Sequence, residues 1–178
     1  MAEYVAFDPQ VEVLGAVLLT FFSAAGENIE PVIARYGIAN VDPKGWYPQQ
    51  ELLNIYKEIA HHPSGMFDLV SIGMRIPEEA AFPPGINSIE SAMQSVNVAY
   101  HMNHRGGDIG SYRATQVGPN HIMMECRNPY PSDFDYGLLY GLTRRFRPSH
   151  AGFTVRRDDS MPSRKHGADA CTYHVTWG

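Results

Sequence analysis

The chain has 178 residues and 19.9 kDa, with 44% hydrophobic and 19% charged residues, which excludes a globally disordered chain. At this length roughly 70% of the unfolded surface can be buried, so a core forms without staples. Two isolated cysteines, Cys126 and Cys171, exclude a zinc ribbon or a disulfide framework and fit a reducing, cytoplasmic setting. The net charge of −5 is unevenly spread, with 12 acids against 4 bases in residues 1–90 and 7 against 10 in residues 91–178.

In chain order, Pro9 with Asp8 as N-cap predicts a helix start, and Val11, Leu14, Leu18 and Phe21 continue at helical spacing to a stop at Gly26. The apolar run 11–25 is too short to span a bilayer. Its acidic flank (Glu3, Asp8, Glu12) is the wrong sign for a signal peptide, so a buried helix is expected and no membrane. A second helix is predicted over Asn28–Tyr36. A turn-rich segment over 40–48 follows, carrying an exposed-looking Trp46-Tyr47 pair, and a third helix is predicted over Gln49–His61. Residues 67–75 form a shorter helical candidate. Pro77, Pro83, Pro84 and Gly85 then mark a boundary between an N-terminal helical subdomain (1–76) and a second one (87–178).

Beyond the break, Asn87 or Ser88 is predicted to cap a long helix, with Ile89, Met93, Val96 and Tyr100 as its stripe. Ala92 and Ala99 leave room for close approach, and Arg105-Gly106-Gly107-Asp108 ends the helix. Residues 110–117 and 121–127 read as a hairpin across Gly118-Pro119-Asn120. Ser132 or Asp133 caps a helix through Phe134, Leu138, Leu142 and Phe146, and strands are predicted at 151–157 and 172–177. Helices followed by β-β-α-β-β make the fold class α+β, with a mainly antiparallel sheet.

Motif chemistry is sparse. The chain has no phosphate loop, dinucleotide fingerprint, zincin motif or nucleophile elbow, and no catalytic residue stands out. His101 and His104, three apart at a helix end, can share a face, but no nearby cysteine or carboxylate pair supports a metal site. Arg144, Arg145, Arg147, Arg156, Arg157, Arg164 and Lys165 concentrate the basic surplus. They are solvated or dipole-complementing arginines, or a rim for a small carboxylate-bearing ligand; a nucleic acid is not the expected partner, because exposed aromatics are not interleaved among them. Methionines (Met66, Met74, Met93, Met102, Met123, Met124) and tyrosines leave open either core packing or an apolar cavity.

The C-terminal half carries a resemblance. Met123-Met124-Glu125-Cys126-Arg127, Asn128-Pro129-Tyr130-Pro131, the helix from Asp135 to Leu142, and the ending Gly167-Ala168-Asp169-Ala170-Cys171-Thr172-Tyr173-His174-Val175 together resemble the 4-vinyl-reductase-like and haem-nitric-oxide-binding (H-NOX) domains over about residues 87–178. The resemblance implies a sensor or small-molecule-binding module of non-enzymatic character, acting through a partner or a homodimer. The ligand, apolar or aromatic, is expected between helix 88–104 and the sheet, lined by Met93, Val96, Tyr100, Tyr112, Met124 and Tyr140.

In a haem-binding member the helix before the sheet supplies the proximal histidine. This implies His101 here, with His104 as the alternative, and haem as the cofactor. The carboxylate-clamping Tyr-x-Ser-x-Arg of that family reads Tyr130-Pro131-Ser132-Asp133-Phe134 in this chain, so its arginine is replaced. A vinyl or tetrapyrrole reductase is a further alternative that rests on the family name alone.

Overall fold

A computed structural model describes residues 3–38, 40–62 and 68–178. Its order is β1 (Glu12–Leu14), α1 (Gly15–Ala25), a 3-10 turn (Glu27–Ile29), α2 (Glu30–Arg35), β2 (Trp46–Pro48), α3 (Gln49–Ala60) and α4 (Leu69–Glu79). Then come α5 (Ile89–Asn103), β3 (His104–Arg105), β4 (Ser111–Gly118), β5 (His121–Arg127), α6 (Ser132–Phe146), β6 (Phe153–Arg157) and β7 (Ala170–Trp177). The α+β class expected from the sequence is the class observed.

Two antiparallel sheets organise the molecule. The larger has the order β4-β5-β7-β6, and its inward positions (Tyr112, Ile122, Met124, Cys126, Tyr173, Val175) alternate with more exposed ones, as a one-sided sheet requires. The smaller, β2-β1-β3, pairs Val13 with both Tyr47 and His104, stitching the N-terminal half to the end of α5. This sheet corrects two sequence expectations. The first helix begins at Gly15 rather than near Pro9, because residues 12–14 bond to strands on both sides and Asp8 instead accepts from the Gln10 amide in a turn. Trp46 and Tyr47 form a half-buried strand, and Arg105 stacks over the Trp46 ring at 4.2 Å.

The expected 67–75 helix starts at Leu69, capped by Asp68, and runs to Glu79 with Pro77 inside it, so the proline cluster ends the helix later than its first member suggests. Phe67 and Met66 lie outside the described residues. Helix α4 crosses α6 at near-backbone distance. A Cβ on Gly137 would sit 2.1 Å from the Val70 carbonyl oxygen, and one on Gly73 2.3 Å from that of Phe134. Two arginines of the basic surplus are spent at this crossing: Arg144 pairs with Glu78, and Arg145 donates to the Pro77 and Ala80 carbonyls while stacking on Phe82. The core fills the space between helices and sheet, with Phe21, Leu53, Tyr56, Met93, Leu139 and Tyr173 fully buried. Among the described residues no single helix is long and apolar enough to cross a membrane.

Candidate functional site

Helix α5 forms because Ser88 makes a reciprocal capping box with Ser91 and Glu90 sits in the first turn, where a carboxylate suits the helix dipole. Its inner face carries Ile89, Ala92, Met93 and Tyr100, whereas Ala99 is exposed. The helix stops at Asn103, and His104 takes up extended backbone as the first residue of β3. That change of conformation separates the two histidines expected to share a face. His101 is exposed, its Nδ1 2.9 Å from the Asn97 carbonyl oxygen, while His104 turns inward and is buried.

His104 lies at a buried polar centre. Its Nδ1 is 2.9 Å from the Tyr100 carbonyl oxygen and its Nε2 is 2.7 Å from the Tyr130 hydroxyl. A carbonyl only accepts, so the Nδ1 carries the proton, and the neutral ring accepts the Tyr130 O–H at Nε2. Burial holds the imidazole neutral, with its pKa pushed down to about 4. The Tyr100 ring lies 4.0 Å from that of His104, and its hydroxyl donates to the Ile109 carbonyl at 2.5 Å. Burial raises the Tyr100 and Tyr130 phenols above their ordinary range.

Gln49, the first residue of α3, enters the same centre. Its carboxamide interacts with the Tyr100 and Tyr130 hydroxyls closely enough to ease both phenols' ionisation, yet neither its oxygen nor its nitrogen makes a full hydrogen bond. The residue is 0% exposed. Aromatic rings close the centre on the α3 side: Tyr56 lies 5.5 Å from Tyr130 and 5.1 Å from Phe134.

A second buried network lies behind it. Asp135 accepts from the Tyr112 hydroxyl at 2.6 Å, from Asn128 Nδ2 at 3.1 Å and from the Arg164 guanidinium. Arg164 also donates to the Asn128 backbone carbonyl at 2.8 Å and to its side-chain oxygen. The Arg164–Asp135 pair is essentially inaccessible to solvent. Burial is the largest single influence and works against the guanidinium charge, but the Asp135 carboxylate together with Cys171, Tyr173 and Cys126 outweighs it.

Of the residues expected to line a ligand site, Met93, Tyr100, Tyr112 and Met124 are buried between α5 and the sheet, with the Tyr100 and Tyr112 rings 5.2 Å apart. Val96 is half-buried. Tyr140 is also half-buried, farther along α6, 4.9 Å from Phe153. Gln49, Asp135 and Arg164 were missed. Gln49 reads as an ordinary helix-start glutamine, and nothing in the sequence links positions 135 and 164; by sequence Arg164 falls among the arginines read as solvated or as a ligand rim. Among the described residues no group of three His, Cys, Asp or Glu is placed to hold a metal.

No family model and no curated protein sequence matches the chain. Solved structures do. A Cs H-NOX mutant carrying an unnatural amino acid is similar with a TM-score of 0.70 and 14% identity, over 92% of this chain and 96% of that one. An oxygen-binding H-NOX domain described as related to soluble guanylate cyclases gives 0.66 and 15%, over 92% and 94%. An H-NOX protein of S. oneidensis gives 0.63 and 14%, over 93% and 96%. The likeness therefore spans both halves of the chain instead of the C-terminal half alone, and these structures lend no support to the vinyl-reductase side of the resemblance. The β1–β3 stitch, the α5-to-strand turn and the four-stranded sheet belong to a chain with the H-NOX fold.

Proposed function

We propose that this chain is a small-ligand sensor domain in which the ligand engages the interior between α5 and the sheet, at the centre formed by Gln49, Tyr100, His104 and Tyr130. The observation that carries this reading is the Gln49 carboxamide, wholly buried beside the Tyr100 and Tyr130 hydroxyls with neither its nitrogen nor its oxygen in a full hydrogen bond. A buried polar group without a full hydrogen bond carries a penalty of up to about 1–3 kcal/mol, against the about 5–15 kcal/mol that holds a domain together. A ligand bearing an adjacent donor and acceptor removes that cost. Met93, Tyr112 and Met124 supply the apolar floor, with the half-buried Val96 on the same helix as Met93, whereas Tyr140 lies farther along α6. Helix α5 runs directly into β3, so a displacement at Tyr100 or His104 passes to the β2-β1-β3 sheet.

The residues in place do not fit haem. The Tyr130 hydroxyl occupies His104 Nε2, the rings of Tyr56, Tyr130 and Phe134 lie against one another, and Phe134 stands where the carboxylate clamp needs arginine. Arg164, the buried guanidinium nearby, is committed to Asp135 and Asn128. The haem-borne gas-sensor reading has two points in its favour. One structural neighbour's description names haem redox potential, and His104 holds the tautomer with its Nε2 lone pair inward. That reading requires His104 rather than the exposed His101, and a parting of Tyr130 from Nε2.

Two measurements test these readings. Thermal shift and native mass spectrometry with a panel of neutral amides, acids and phenols should find a stabilising compound whose effect is lost in Gln49→Leu and Tyr130→Phe. A panel that leaves wild type unmoved, or a shift that survives both substitutions, removes the sensor site at this centre. Haemin titration decides the second reading: a Soret band lost in His104→Ala and kept in His101→Ala assigns haem to His104, and no band ends it.

A further inference from the structure

The N-terminal segment, residues 3–11, runs across the edge of the buried centre and bonds to both of its flanks. The Glu3 carboxylate accepts the Ser132 amide at the start of α6 at 2.8 Å, and the Tyr4 amide donates to the Pro129 carbonyl at 2.8 Å. On the opposite side Gln50 Nε2 donates to the Tyr4 carbonyl at 2.9 Å, and Gln50 Oε1 accepts the Ala6 amide at 3.0 Å. These four bonds join the residue after Gln49 to the residues on either side of Tyr130. The segment therefore bridges the two elements that present the unmet carboxamide and the His104-bound hydroxyl.

The two ends of the segment are held differently. At its far end Asp8 packs so closely on Gly107 that a Cβ there would lie 2.5 Å from the carboxyl carbon, and the Gln49 amide donates to the Val11 carbonyl at 2.9 Å. Phe7 lies under the Arg127 guanidinium, which Asp108 holds with two bonds. The near end is held by those four polar bonds and by the half-buried Tyr4 and Ala6, which pack on the margin of the core with the Tyr4 ring edge-on to His61 at 6.2 Å. There Tyr4 adopts φ +70, a conformation that a residue with a Cβ rarely takes, and Val5 is 51% exposed. A firmly anchored base and a strained tip held by four hydrogen bonds and shallow packing make a strap.

We propose that residues 3–7 are a releasable strap over the Gln49–Tyr130–His104 centre, latched by the Glu3 carboxylate on the α6 N-terminus and by Gln50 on α3. This rests on the reading of that centre as the ligand-responsive one. Ligand entry opens the strap, and the strap in place keeps the centre closed.

Diethyl pyrocarbonate, a small electrophile that labels neutral imidazole, tests the latch without any ligand, with site-resolved mass spectrometry as the readout. In wild type the exposed His101 is labelled and serves as the internal reference, while His104 is protected. Glu3→Ala is expected to raise His104 labelling relative to His101 about tenfold or more, and Gln50→Ala to do the same from the other flank. Glu3→Gln, whose amide oxygen still accepts from Ser132, stays near wild type. Equal His104 protection in Glu3→Ala, Gln50→Ala and wild type overturns the proposal. Loss of far-ultraviolet circular dichroism in both alanine variants also overturns it, because the segment is then a fixed part of the core. Since no ligand is used, a failed latch leaves the thermal-shift test of the sensor site standing, and a failed sensor site leaves the labelling result standing.

Discussion

Arg164→Met removes one member of the fully buried pair with Asp135. The carboxylate keeps Tyr112 at 2.6 Å and Asn128 at 3.1 Å but loses the guanidinium bonded to it, and it lies at 0% exposure, beyond the reach of compensating solvent. Removing one partner of a buried ion pair costs about 3–5 kcal/mol, most of it the penalty on the charge left behind. For a chain of this size that lowers the Tm by about 10 °C, at about 2–4 °C per kcal/mol. Circular dichroism melts at pH 7 and urea unfolding measure it. Adding Asp135→Asn to Arg164→Met should recover about half the loss, because the amide oxygen still accepts from Tyr112 while the orphan charge is gone. A single variant that loses less than about 1 kcal/mol, or a double variant less stable than the single, refutes the assignment of the cost to an uncompensated charge.

His104 gives a pH dependence with a definite sign. Its folded pKa of about 4 lies below the ordinary 6.5, so the unfolded chain binds the proton more readily. The stability linked to its neutral form, about 3 kcal/mol, is present above pH 6.5 and drains away as pH falls towards 4. Urea unfolding of His104→Gln should therefore fall less steeply than wild type over that window, and parallel curves count against the burial argument. Gly137→Ala should cost about 1–3 kcal/mol or more, because its Cβ meets the Val70 backbone oxygen and α4 must move off α6; an unchanged urea midpoint contradicts the close crossing. Ser88→Ala removes the α5 capping box and should cost about 1 kcal/mol in the same assay, with α5 amides exchanging faster.

Much of the C-terminal half was legible in the sequence, since its signals are local. Ser88 marks the start of α5, the turn at 118–120 marks the β4–β5 hairpin, and alternation in Tyr173-His174-Val175 assigns the faces of β7, with His174 the more exposed. The small sheet was not legible. Val11, Leu14 and Leu18 fit a helical stripe, and only bonding to β2 and β3, distant in sequence, makes residues 12–14 a strand. Tertiary context outweighed local propensity there.

The candidate site divides in the same way. Sequence placed Met93, Tyr100, Tyr112 and Met124 on inward faces, and the Tyr130-x-Ser132 motif drew attention to the start of α6. Which histidine turns in depended on α5 ending at Asn103, one backbone conformational change that no spacing rule registers.

The charge asymmetry came straight from composition: an acidic first half and a basic second one. Composition cannot say what the charges do, because a charge's role is set by what lies within a few ångströms in space. Folding sends Arg144 and Arg145 across to α4 and brings Glu3 of the acidic half onto the amide of Ser132. It also takes Arg164 out of the expected rim and seals it against Asp135 and the Asn128 oxygens, where a buried cation is held by the carboxylate and carbonyl oxygens buried with it.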